Sequence, residues 1–472
     1  MNTKSNNFYV TTPIYYVNDK PHIGHAYTTI MADVFARYHR KIKGKDNVFF
    51  LTGTDEHGSK VANSAKTHNL SPQEFANNVS DEYKETWKKL DISYDEFFRT
   101  TDQRHEKIVQ NYLQQLYDKG FIYKAKYKGL YCVGCEKFLP FDEITNNACI
   151  YHPNTLLTEQ EEENYFFKLK DFSVFVLNEI NKRGYEILPI ERRNEILSKI
   201  NTGINDVSIS RSGVSWGIQL PWNKSQTVYV WVDALLNYYS ATKIYSGKEK
   251  FWPPSLHLMA KDILWFHALV WESLLLANKI ELPKVVFAHG FFTVDGQKMS
   301  KTLGNVINPL TLVDEYGSDA TRYLLVSSFS FGNDGDISLE KFKEKYNSDL
   351  ANGIGNLIAR ITKLCEKSDF NNTNIPSKDF SLDVATHMNQ YRPDEAVKSI
   401  WKRIADFDRT IGEDKPWKLE QDKLKEKLDL YIKEILSIAS DMEPFLPKTS
   451  EIMQRIFSQN KIIKPDSIFP RK

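Results

Sequence analysis

The sequence predicts an α/β protein in which an insertion interrupts a buried parallel sheet and a helical bundle forms the C-terminal part. Three observations support this prediction. The first 55 residues contain a strand, a helix and a second apolar strand. A turn-rich stretch then holds most of the cysteines, and from Leu339 onward apolar residues recur at helical spacing with few strand signals. A strand–helix–strand unit with apolar strands is typical of a parallel sheet covered on both faces.

The N-terminal elements follow from local pattern. "NNFYVTTPIYYV" is rich in β-branched and aromatic residues and predicts a strand, and "NVFFLTGTD" predicts a second, fully apolar one. Between them, "AYTTIMADVFARYHRKIKG" has apolar residues at helical spacing and stops at Gly44, which predicts a helix with a C-terminal glycine. Two further helical stretches are expected around Pro72–Leu90 and Gln103–Lys119.

The middle of the chain changes character and then returns to the α/β pattern. Turns are more frequent from about Phe121 to Trp222, which indicates an insertion. The α/β pattern resumes near Val228 in "TVYVWVDALLNYYSA", "SLHLMAKDILWFHALVWESLLLA" and "KVVFAHGFFTV". We therefore expect five segments: 1–120, the first half of an α/β domain; 121–222, the connective insertion; 223–296, the second half; 297–345, a basic loop with its flanking region; and 346–472, the helical domain.

Composition narrows the class of protein. Hydrophobic residues make up 41% of the 472, which excludes a disordered chain, and the net charge of +1 leaves nucleic-acid contacts to local basic patches. Four cysteines are too few for a disulfide framework, and we see no leader and no apolar run of membrane-spanning length. The expectation is a soluble, cytoplasmic protein, and an organellar location stays open.

One stretch, "YCVGCEKFLPFDEITNNACIYHP", combines cysteines and a histidine at the spacing of metal ligands. Cys132-x-x-Cys135 and Cys149-x-x-His152 form two close pairs, as a closed tetrahedral zinc site requires. Since protein groups would fill all four positions, we expect one structural zinc ion. The competing interpretation is accidental adjacency. The fourth cysteine, Cys365, lies in an apolar helical run and is expected in the core.

Two short motifs point to phosphate chemistry. "HIGH", with His22, Gly24 and His25, lies where the first strand turns into its helix, a place where nucleotides bind in parallel sheets. "GQKMSKTLGN" carries Lys298 and Lys301, whose point charges suit pyrophosphate. Taken alone, each has a plainer interpretation: a turn with two solvated histidines, and a basic surface loop.

Together the motifs resemble those of class I aminoacyl-tRNA synthetases. The stretches "TTPIYYVNDKPHIGHAYTTI", "LTGTDEHG", "VYVWVDALLNY", "AKDILWFHALVW" and "HGFFTVDGQKMSKTLGN" resemble the methionyl-tRNA synthetase family, of the type with a single zinc knuckle, from about Tyr9 to Trp417. The resemblance implies a Rossmann-like catalytic domain and an ATP-dependent ligase of protein biosynthesis. Such an enzyme uses Mg-ATP to form methionyl-adenylate and pyrophosphate, and then transfers methionine to the 3′-terminal adenosine of tRNA(Met). The chain departs from the common loop motif at Thr302, which keeps a hydroxyl.

The resemblance also implies site residues. His22, His25, Lys298 and Lys301 would be catalytic. The ATP-binding set would be His22, Gly24, His25, Asp262, His289, Gly290, Lys298, Met299, Ser300 and Lys301. The methionine-binding set would be Ile14, Tyr16, Asp55, Trp231, Ala234, Leu235, Tyr238, Ile263, Phe266, His267 and Trp271. In this set Asp55 would pair with the α-ammonium group, and Tyr16 and His267 would offer polar hydrogens to the sulfur. The alternative for the aromatic residues is ordinary core packing, and for Asp55 a helix cap.

In the helical domain the resemblance implies anticodon recognition. Asn356 and Arg360 would contact base edges and Trp417 would stack on a base of the CAU anticodon, in initiator and elongator tRNA(Met) alike. Asp408 stands where the family often has Asn. The alternative for Trp417 is a core anchor between helices. We see no added tRNA-binding module after the bundle, and therefore expect a monomer.

Three rival functions stay open at this point. A class I synthetase for leucine, isoleucine, valine or cysteine is the nearest, but the first three carry a longer editing insertion and the last spreads its zinc ligands over the catalytic fold. A metabolic nucleotidyltransferase would lack the helical tail. A non-catalytic tRNA-binding descendant would not need the intact His22, His25, Lys298 and Lys301.

Overall fold

A computed structural model describes residues 6–18, 20–134, 137–139, 143–299 and 304–472. Its strands are β1 Phe8–Tyr16, β2 Val48–Asp55, β3 Glu96–Arg99, β4 Ile122–Cys132, β5 Lys137–Phe138, β6 Ile144–Thr145, β7 Ala148–Cys149, β8 His152–Leu156, β9 Thr158–Phe167, β10 Glu186–Leu188, β11 Val207–Ser208, β12 Ser210–Arg211, β13 Gln219–Leu220, β14 Asn223–Val228, β15 Leu256–Ala260, β16 Val285–His289, β17 Phe292–Val294, β18 Gln297–Lys298 and β19 Gly335–Ile337.

The helices are α1 Ile23–Lys43, α2 Ser59–Thr67, α3 Pro72–Lys89, α4 Gln103–Asp118, α5 Leu169–Asn181, α6 Ile190–Thr202, α7 Val230–Ile244, α8 Trp271–Ala277, α9 Pro309–Tyr316, α10 Ser318–Ser327, α11 Leu339–Lys345, α12 Asn356–Lys367, α13 Leu382–Asn389, α14 Pro393–Asp414, α15 Gln421–Met442 and α16 Pro447–Phe457. Two π-helical turns, Phe266–Val270 and Tyr346–Gly355, lead into α8 and α12.

A six-stranded parallel sheet in the order β10-β16-β15-β1-β2-β3 forms the centre of the molecule. All residues of β2 are buried, as its apolar run predicts. α1 ends at Gly44, whose φ of 86° suits a residue without a Cβ. The predicted α/β class, the first strand–helix–strand unit and the helices α3 and α4 are therefore confirmed.

The stretch predicted to be an insertion forms antiparallel sheets. β11-β9-β4-β5 make one sheet and β6-β7-β8 a small one. In a third sheet, β12 and β13 pair with β14, which lies beyond the predicted end of the insertion at residue 222. However, the predicted segment 121–222 is not continuous, because β10 lies inside it and pairs in parallel with β16 of the central sheet. A strand of three residues beside Pro189 carries too little periodicity to be recognised in the sequence.

A buried guanidinium lies where the C-terminal helices meet the sheet domain. Arg322, on α10, is 0% exposed and donates to the carbonyls of Pro444 and Phe445 at 2.9 and 3.0 Å. It also pairs with the Asp33 carboxylate of α1 at 2.7 Å. The arginine therefore ties α1 to the loop before α16, which fixes how the tail sits on the sheet domain. No helix in the described ranges has both the length and the apolar character needed to span a membrane.

A buried carboxyl group predicts how the stability of the fold depends on pH. Glu272, on α8, is 0% exposed, and burial raises its pKa well above the ordinary value. Above the pKa of the unfolded chain, the folded protein holds a proton that the unfolded chain has lost. Stability is therefore lost as pH rises, by at most about 1.4 kcal/mol per pH unit. The Tm of the Glu272→Gln variant should be higher than that of the unchanged chain at pH 8, and the two Tm values should converge near pH 5.

Differential scanning calorimetry from pH 5 to 8 measures this effect, with Glu451→Gln, an exposed position on α16, as the control. Parallel Tm curves for the Glu272 variant and the unchanged chain would contradict it.

Candidate active site

A cavity of about 410 Å³ opens at the carboxyl ends of the central strands. β1 and β15 are neighbours there, and the chain leaves β1 toward β2 on one side and continues from β15 to β16 on the other. Such a point, where strand order reverses, is where open parallel sheets bind ligands. Ten of the eleven residues predicted to bind methionine line this cavity: Ile14, Tyr16, Asp55, Trp231, Ala234, Leu235, Tyr238, Ile263, Phe266 and His267.

The eleventh residue, Trp271, lies behind the cavity wall. It is 0% exposed and contacts Tyr238 edge-on, with ring centroids 6.1 Å apart. It therefore supports the lining residue Tyr238 rather than lining the described cavity itself. In sequence, Trp271 is an aromatic residue like those that line the cavity. The sequence pattern therefore could not show that Trp271 lies one layer behind the lining residues.

Asp55, the last residue of β2, lines the cavity and is followed by two anchored residues. Asp55 is 8% exposed. The next residue, Glu56, is fully buried and accepts from Arg99 Nε at 2.6 Å and from Ser80 Oγ at 2.5 Å. The residue after that, His57, bonds the Asp233 carboxylate at 2.7 Å. A carboxylate held at a strand end in this way can pair with an ammonium group.

The apolar wall of the cavity is built from stacked aromatic rings. Trp231 and Phe266 lie parallel, with centroids 4.1 Å apart and an interplanar angle of 2°. Tyr238 projects from the same face of α7 two turns after Trp231, and its hydroxyl lies 2.9 Å from His267 Nε2. Stacking and hydrogen bonding fix the shape of the wall, as selection of a flexible apolar side chain requires.

The structure contradicts one role predicted for His267. Its Nδ1 lies 3.0 Å from the Ile263 carbonyl, which can only accept, so the ring proton is on Nδ1. Burial lowers the pKa of His267 to about 4, so the ring is neutral at pH 7 and carries a single N–H. Its Nε2 then accepts from Tyr238. His267 has no polar hydrogen left for a sulfur atom, because a carbonyl one helical turn earlier takes it.

The "HIGH" turn caps α1 with its own side chains. His22 Nδ1 accepts from the Gly24 amide at 3.1 Å, and His25 Nδ1 accepts from the His22 amide at 3.3 Å. The two rings stack with centroids 3.6 Å apart. Burial, with His22 beside it, lowers the pKa of His25 well below its ordinary value. Because Nδ1 accepts in both rings, each neutral imidazole carries its proton on Nε2 and can donate from there to an anion at the helix N-terminus.

Tyr83 completes this arrangement and was not predicted. Its hydroxyl lies 3.1 Å from His25 Nδ1, which strengthens the orientation of that ring. Tyr83 lies on α3, a helix that carries no motif in the sequence, so nothing in the local pattern indicated it.

His289 and Gly290 follow the end of β16 but do not line the described cavity. His289 bonds Thr28 of α1 through Nε2 at 2.7 Å and the Gly290 carbonyl through Nδ1 at 2.8 Å. A Cβ at Gly290 would lie 2.3 Å from the backbone of Asn333, so only glycine fits. Their predicted part in ATP binding stays a prediction. Asp262, also predicted to bind ATP, is exposed and lines the cavity.

The basic loop approaches the "HIGH" turn. The side chain of Met299 lies 3.9 Å from the place of a Cβ at Gly24, and the Ile23 amide donates to the Ile307 carbonyl at 3.0 Å. The loop leaves from β18, which pairs with β17. Ser300, Lys301 and Thr302, and the side chain of Lys298, lie outside the described residues. The fold thus brings two motifs together that are far apart in sequence.

Three of the four predicted zinc ligands converge. The ligand atoms of Cys132, Cys149 and His152 lie within 4.8 Å of one another, and each sulfur is 3.9 Å from His152 Nδ1. Tetrahedral zinc would separate sulfur from nitrogen by about 3.6 Å. Both thiols are at most 1% exposed, and a Cβ at Gly134 would lie 2.4 Å from the His152 ring, so the backbone closes around it. These residues fit zinc. Cys135 lies outside the described residues.

Several cavity residues had no sequence signal. Lys60 on α2 lies over the Tyr16 ring at 5.6 Å and donates to the Gly134 carbonyl. Lys199 on α6 lies over Trp265 at 4.7 Å. Lys60, Lys199 and Trp265 line the cavity, as do Gly134, Glu143, Tyr151 and Phe291. The predicted zinc ligand His152 lines it too. The hairpin that carries the predicted zinc ligands, from Cys132 to His152, therefore contributes to the wall of the cavity.

The predicted anticodon residues lie on the helical tail. Trp417 is 56% exposed in a short turn after α14, which excludes the core anchor weighed as its alternative. Asn356 is exposed at the start of α12, and Arg360, on the same helix, forms an ion pair with Asp408 of α14. Cys365 is 2% exposed in the core, as expected.

Known proteins resemble this chain over almost its whole length. The family described as "tRNA synthetases class I (M)" matches residues 8–155 and 141–362. The methionine–tRNA ligase of Thermotoga maritima is 42% identical over 96% of this chain and 76% of its own length, and that of Synechocystis is 40% identical over 94% and 88%. The structure of Mycobacterium tuberculosis methionyl-tRNA synthetase in complex with methionyl-adenylate has a TM-score of 0.91 at 32% identity, covering 98% of this chain and 100% of that one.

Proposed function

The chain belongs to the methionyl-tRNA synthetase family of class I tRNA synthetases, and from that premise we propose how its residues perform the reaction. It is a ligase that activates methionine with ATP to methionyl-adenylate and pyrophosphate, and then transfers methionine to tRNA. The observation that carries the proposed site is the cavity at the sheet's carboxyl edge, which is lined by Asp55 and an aromatic wall.

In the first step a methionine carboxylate oxygen attacks the α-phosphorus of ATP, and the bond to the bridging oxygen of pyrophosphate breaks. No covalent intermediate with the enzyme is needed, so catalysis is positioning and charge stabilisation. Asp55 holds the ammonium group and α7 holds the side chain. The Nε2 hydrogens of His22 and His25 are suited to donate to phosphate oxygens as charge develops, and Lys298 and Lys301 neutralise the departing pyrophosphate.

ATP enters as its Mg²⁺ complex in this proposal. The metal neutralises phosphate charge, and Asp262 is suited to the ribose diol. In the second step a hydroxyl of the 3′-terminal adenosine attacks the methionyl carbonyl and AMP leaves. The proposed partner is tRNA(Met), initiator and elongator, and the proposed location is the cytoplasm, with the chain as a monomer. The five segments given above are proposed with one change: β10 belongs to the central sheet and not to the insertion.

Aminoacylation tests the whole reaction. Purified protein with ATP, radiolabelled methionine and tRNA carrying a CAU anticodon should accumulate acid-stable methionyl-tRNA. The same tRNA body with a changed anticodon should be charged poorly. Equal charging of both would overturn the proposed recognition of tRNA(Met).

We propose that Cys132, Cys135, Cys149 and His152 hold one structural zinc ion. Four protein ligands leave no open position, so the metal would brace the hairpin against the cavity rather than activate water. The purified chain should contain about one zinc per molecule, and Cys149→Ser should lose most of it. Elemental analysis measures this, with Cys365→Ser, a buried thiol on α12, as the control. A zinc-free native protein, or equal zinc in both variants, would contradict the assignment.

We propose that Trp417 stacks on an anticodon base while Asn356 and Arg360 contact base edges. An indole 56% exposed on a short turn is a suitable stacking platform. Trp417→Ala should lower kcat/KM for tRNA charging by about tenfold or more and leave ATP–pyrophosphate exchange unchanged, since base stacking is worth about 1–3 kcal/mol. Leu382→Ala, at another exposed apolar position of the tail, is the matched control. Equal losses in charging and exchange would indicate a structural role instead.

A further inference from the structure

We propose that Asp233 is a positioning residue for methionine selection, an inference that rests on the proposed function. Its carboxylate would set the distance between the two ends of the amino-acid site: Asp55 at the ammonium end, and the apolar face of α7 at the side-chain end. Asp233 itself does not line the cavity.

Asp233 joins three elements through two histidines. Its Oδ2 lies 2.7 Å from His57 Nδ1, on the turn after β2, and its Oδ1 lies 2.8 Å from His105 Nε2, on α4. The other nitrogen of His105 lies 2.8 Å from the Ser240 hydroxyl, two turns further along α7. All four side chains are at least 95% buried. One carboxylate therefore connects α7 to both the β2 turn and α4.

The two faces of α7 have separate tasks. Positions 231, 234, 235 and 238 recur at helical spacing and line the cavity. Positions 233 and 240 lie on another face, where His105 contacts both. Two attachment points on one side of a helix fix its rotation and its position along its axis. The lining face of α7 is therefore held in one register by groups that do not contact the substrate.

The opposite end of the site is fixed by the same contact. His57 follows Asp55 by two residues, so its bond to Asp233 holds the backbone on one side of the ammonium-binding carboxylate. The other ring nitrogen of His57, Nε2, lies 4.0 Å from a carboxylate oxygen of Glu106. The His57 ring also contacts the Trp216 ring edge-on, with ring centroids 5.3 Å apart. With Glu56 bonded to Arg99, both residues that follow Asp55 in the chain are held in place.

The charges favour this arrangement. Burial opposes protonation of His57, yet Asp233, and more weakly Glu106 and Glu56, raise its pKa above the ordinary value. Burial alone would raise the pKa of Asp233, but His57 and His105 together lower it. The carboxylate thus stays ionised in a buried site, where a charge-assisted hydrogen bond is strong.

Asp233→Asn tests the proposal because it keeps the volume and removes the charge. ATP–pyrophosphate exchange is measured with methionine, with S-methylcysteine, one methylene shorter, and with ethionine, one methylene longer. We expect KM for methionine to rise about tenfold, with KM for ATP unchanged within about threefold. The preference for methionine over both analogues should fall. When the distance between Asp55 and the apolar face of α7 is no longer fixed, the site selects less strictly for the length of the side chain.

Two further variants make the result decisive. Glu106→Gln removes a carboxylate facing His57 without breaking the link to α7, and should keep the preference for methionine. Ser240→Ala removes only the hydrogen bond between Ser240 and His105. It should lower the preference for methionine as Asp233→Asn does, but by less. If Asp233→Asn does not fold, the Ser240→Ala result tests the proposal instead.

Unchanged preference ratios, or a matching rise in KM for ATP, would overturn the role of Asp233. If instead the unchanged chain shows no methionine-dependent exchange, the proposed function fails, whatever the variants do.

Discussion

Asp55→Asn should abolish most methionine activation. The carboxylate lies at the cavity wall at 8% exposure, so its pairing with an ammonium group is largely shielded from water. Removing one partner of such a pair costs about 3 kcal/mol or more, which corresponds to about a hundredfold or larger loss in kcat/KM for methionine. Steady-state ATP–pyrophosphate exchange measures it, and KM for ATP should not change.

Asp55→Glu separates charge from position. It keeps the carboxylate but lengthens the side chain by one methylene, so it should retain more activity than the asparagine variant while remaining below the unchanged chain. A normal KM for methionine in Asp55→Asn would mean that the ammonium group binds elsewhere. Equal losses in KM for methionine and for ATP would mean that the turn after β2 has collapsed.

Lys301→Ala should slow adenylate formation by at least about a hundredfold, because removing one group that stabilises transition-state charge typically costs about 3–4 kcal/mol. Although Lys301 lies outside the described residues, the base of its loop is well anchored. Asp336 accepts from the Thr293 hydroxyl at 2.6 Å and from the Gly296 amide at 2.7 Å. Methionine binding should survive, since the aromatic wall lies on α7 and on the π-helical turn Phe266–Val270 and not on this loop.

Single-turnover formation of adenylate, together with equilibrium binding of methionine, measures the effect of Lys301→Ala. Lys341→Ala, at a lysine 70% exposed on α11, is the matched control and should behave like the unchanged chain. A near-normal exchange rate in Lys301→Ala would remove this lysine from the reaction.

Local pattern predicted the elements that carry strong periodicity. β1, α1 and β2 have the expected bounds within a few residues, because an alternation or an apolar run over eight or more residues leaves few alternatives. The position of "HIGH" at a strand-to-helix turn followed directly. The methionine-site residues were predicted from the family resemblance, and ten of them line one cavity in the structure.

Long-range contacts could not be predicted in this way. His57 and Asp233 are 176 positions apart, and neither lies at a spacing that indicates the other. The tautomer of His267 depends on the Ile263 carbonyl and on Tyr238, which are contacts of the folded helix, and so its predicted role toward sulfur was wrong. β10 pairs with the edge of the sheet at β16. This pairing depends on the fold as a whole and could not be predicted from the three residues of β10.

The most direct test of the central claim is ATP–pyrophosphate exchange with each of the standard amino acids offered singly. Methionine alone should support rapid exchange, with the other amino acids lower by two orders of magnitude or more, on the order of what a closely shaped pocket with a charged partner achieves. This result would separate the chain from synthetases for leucine, isoleucine, valine or cysteine and from a non-catalytic RNA-binding protein. Faster exchange with any other amino acid, or no exchange with methionine, would contradict the account.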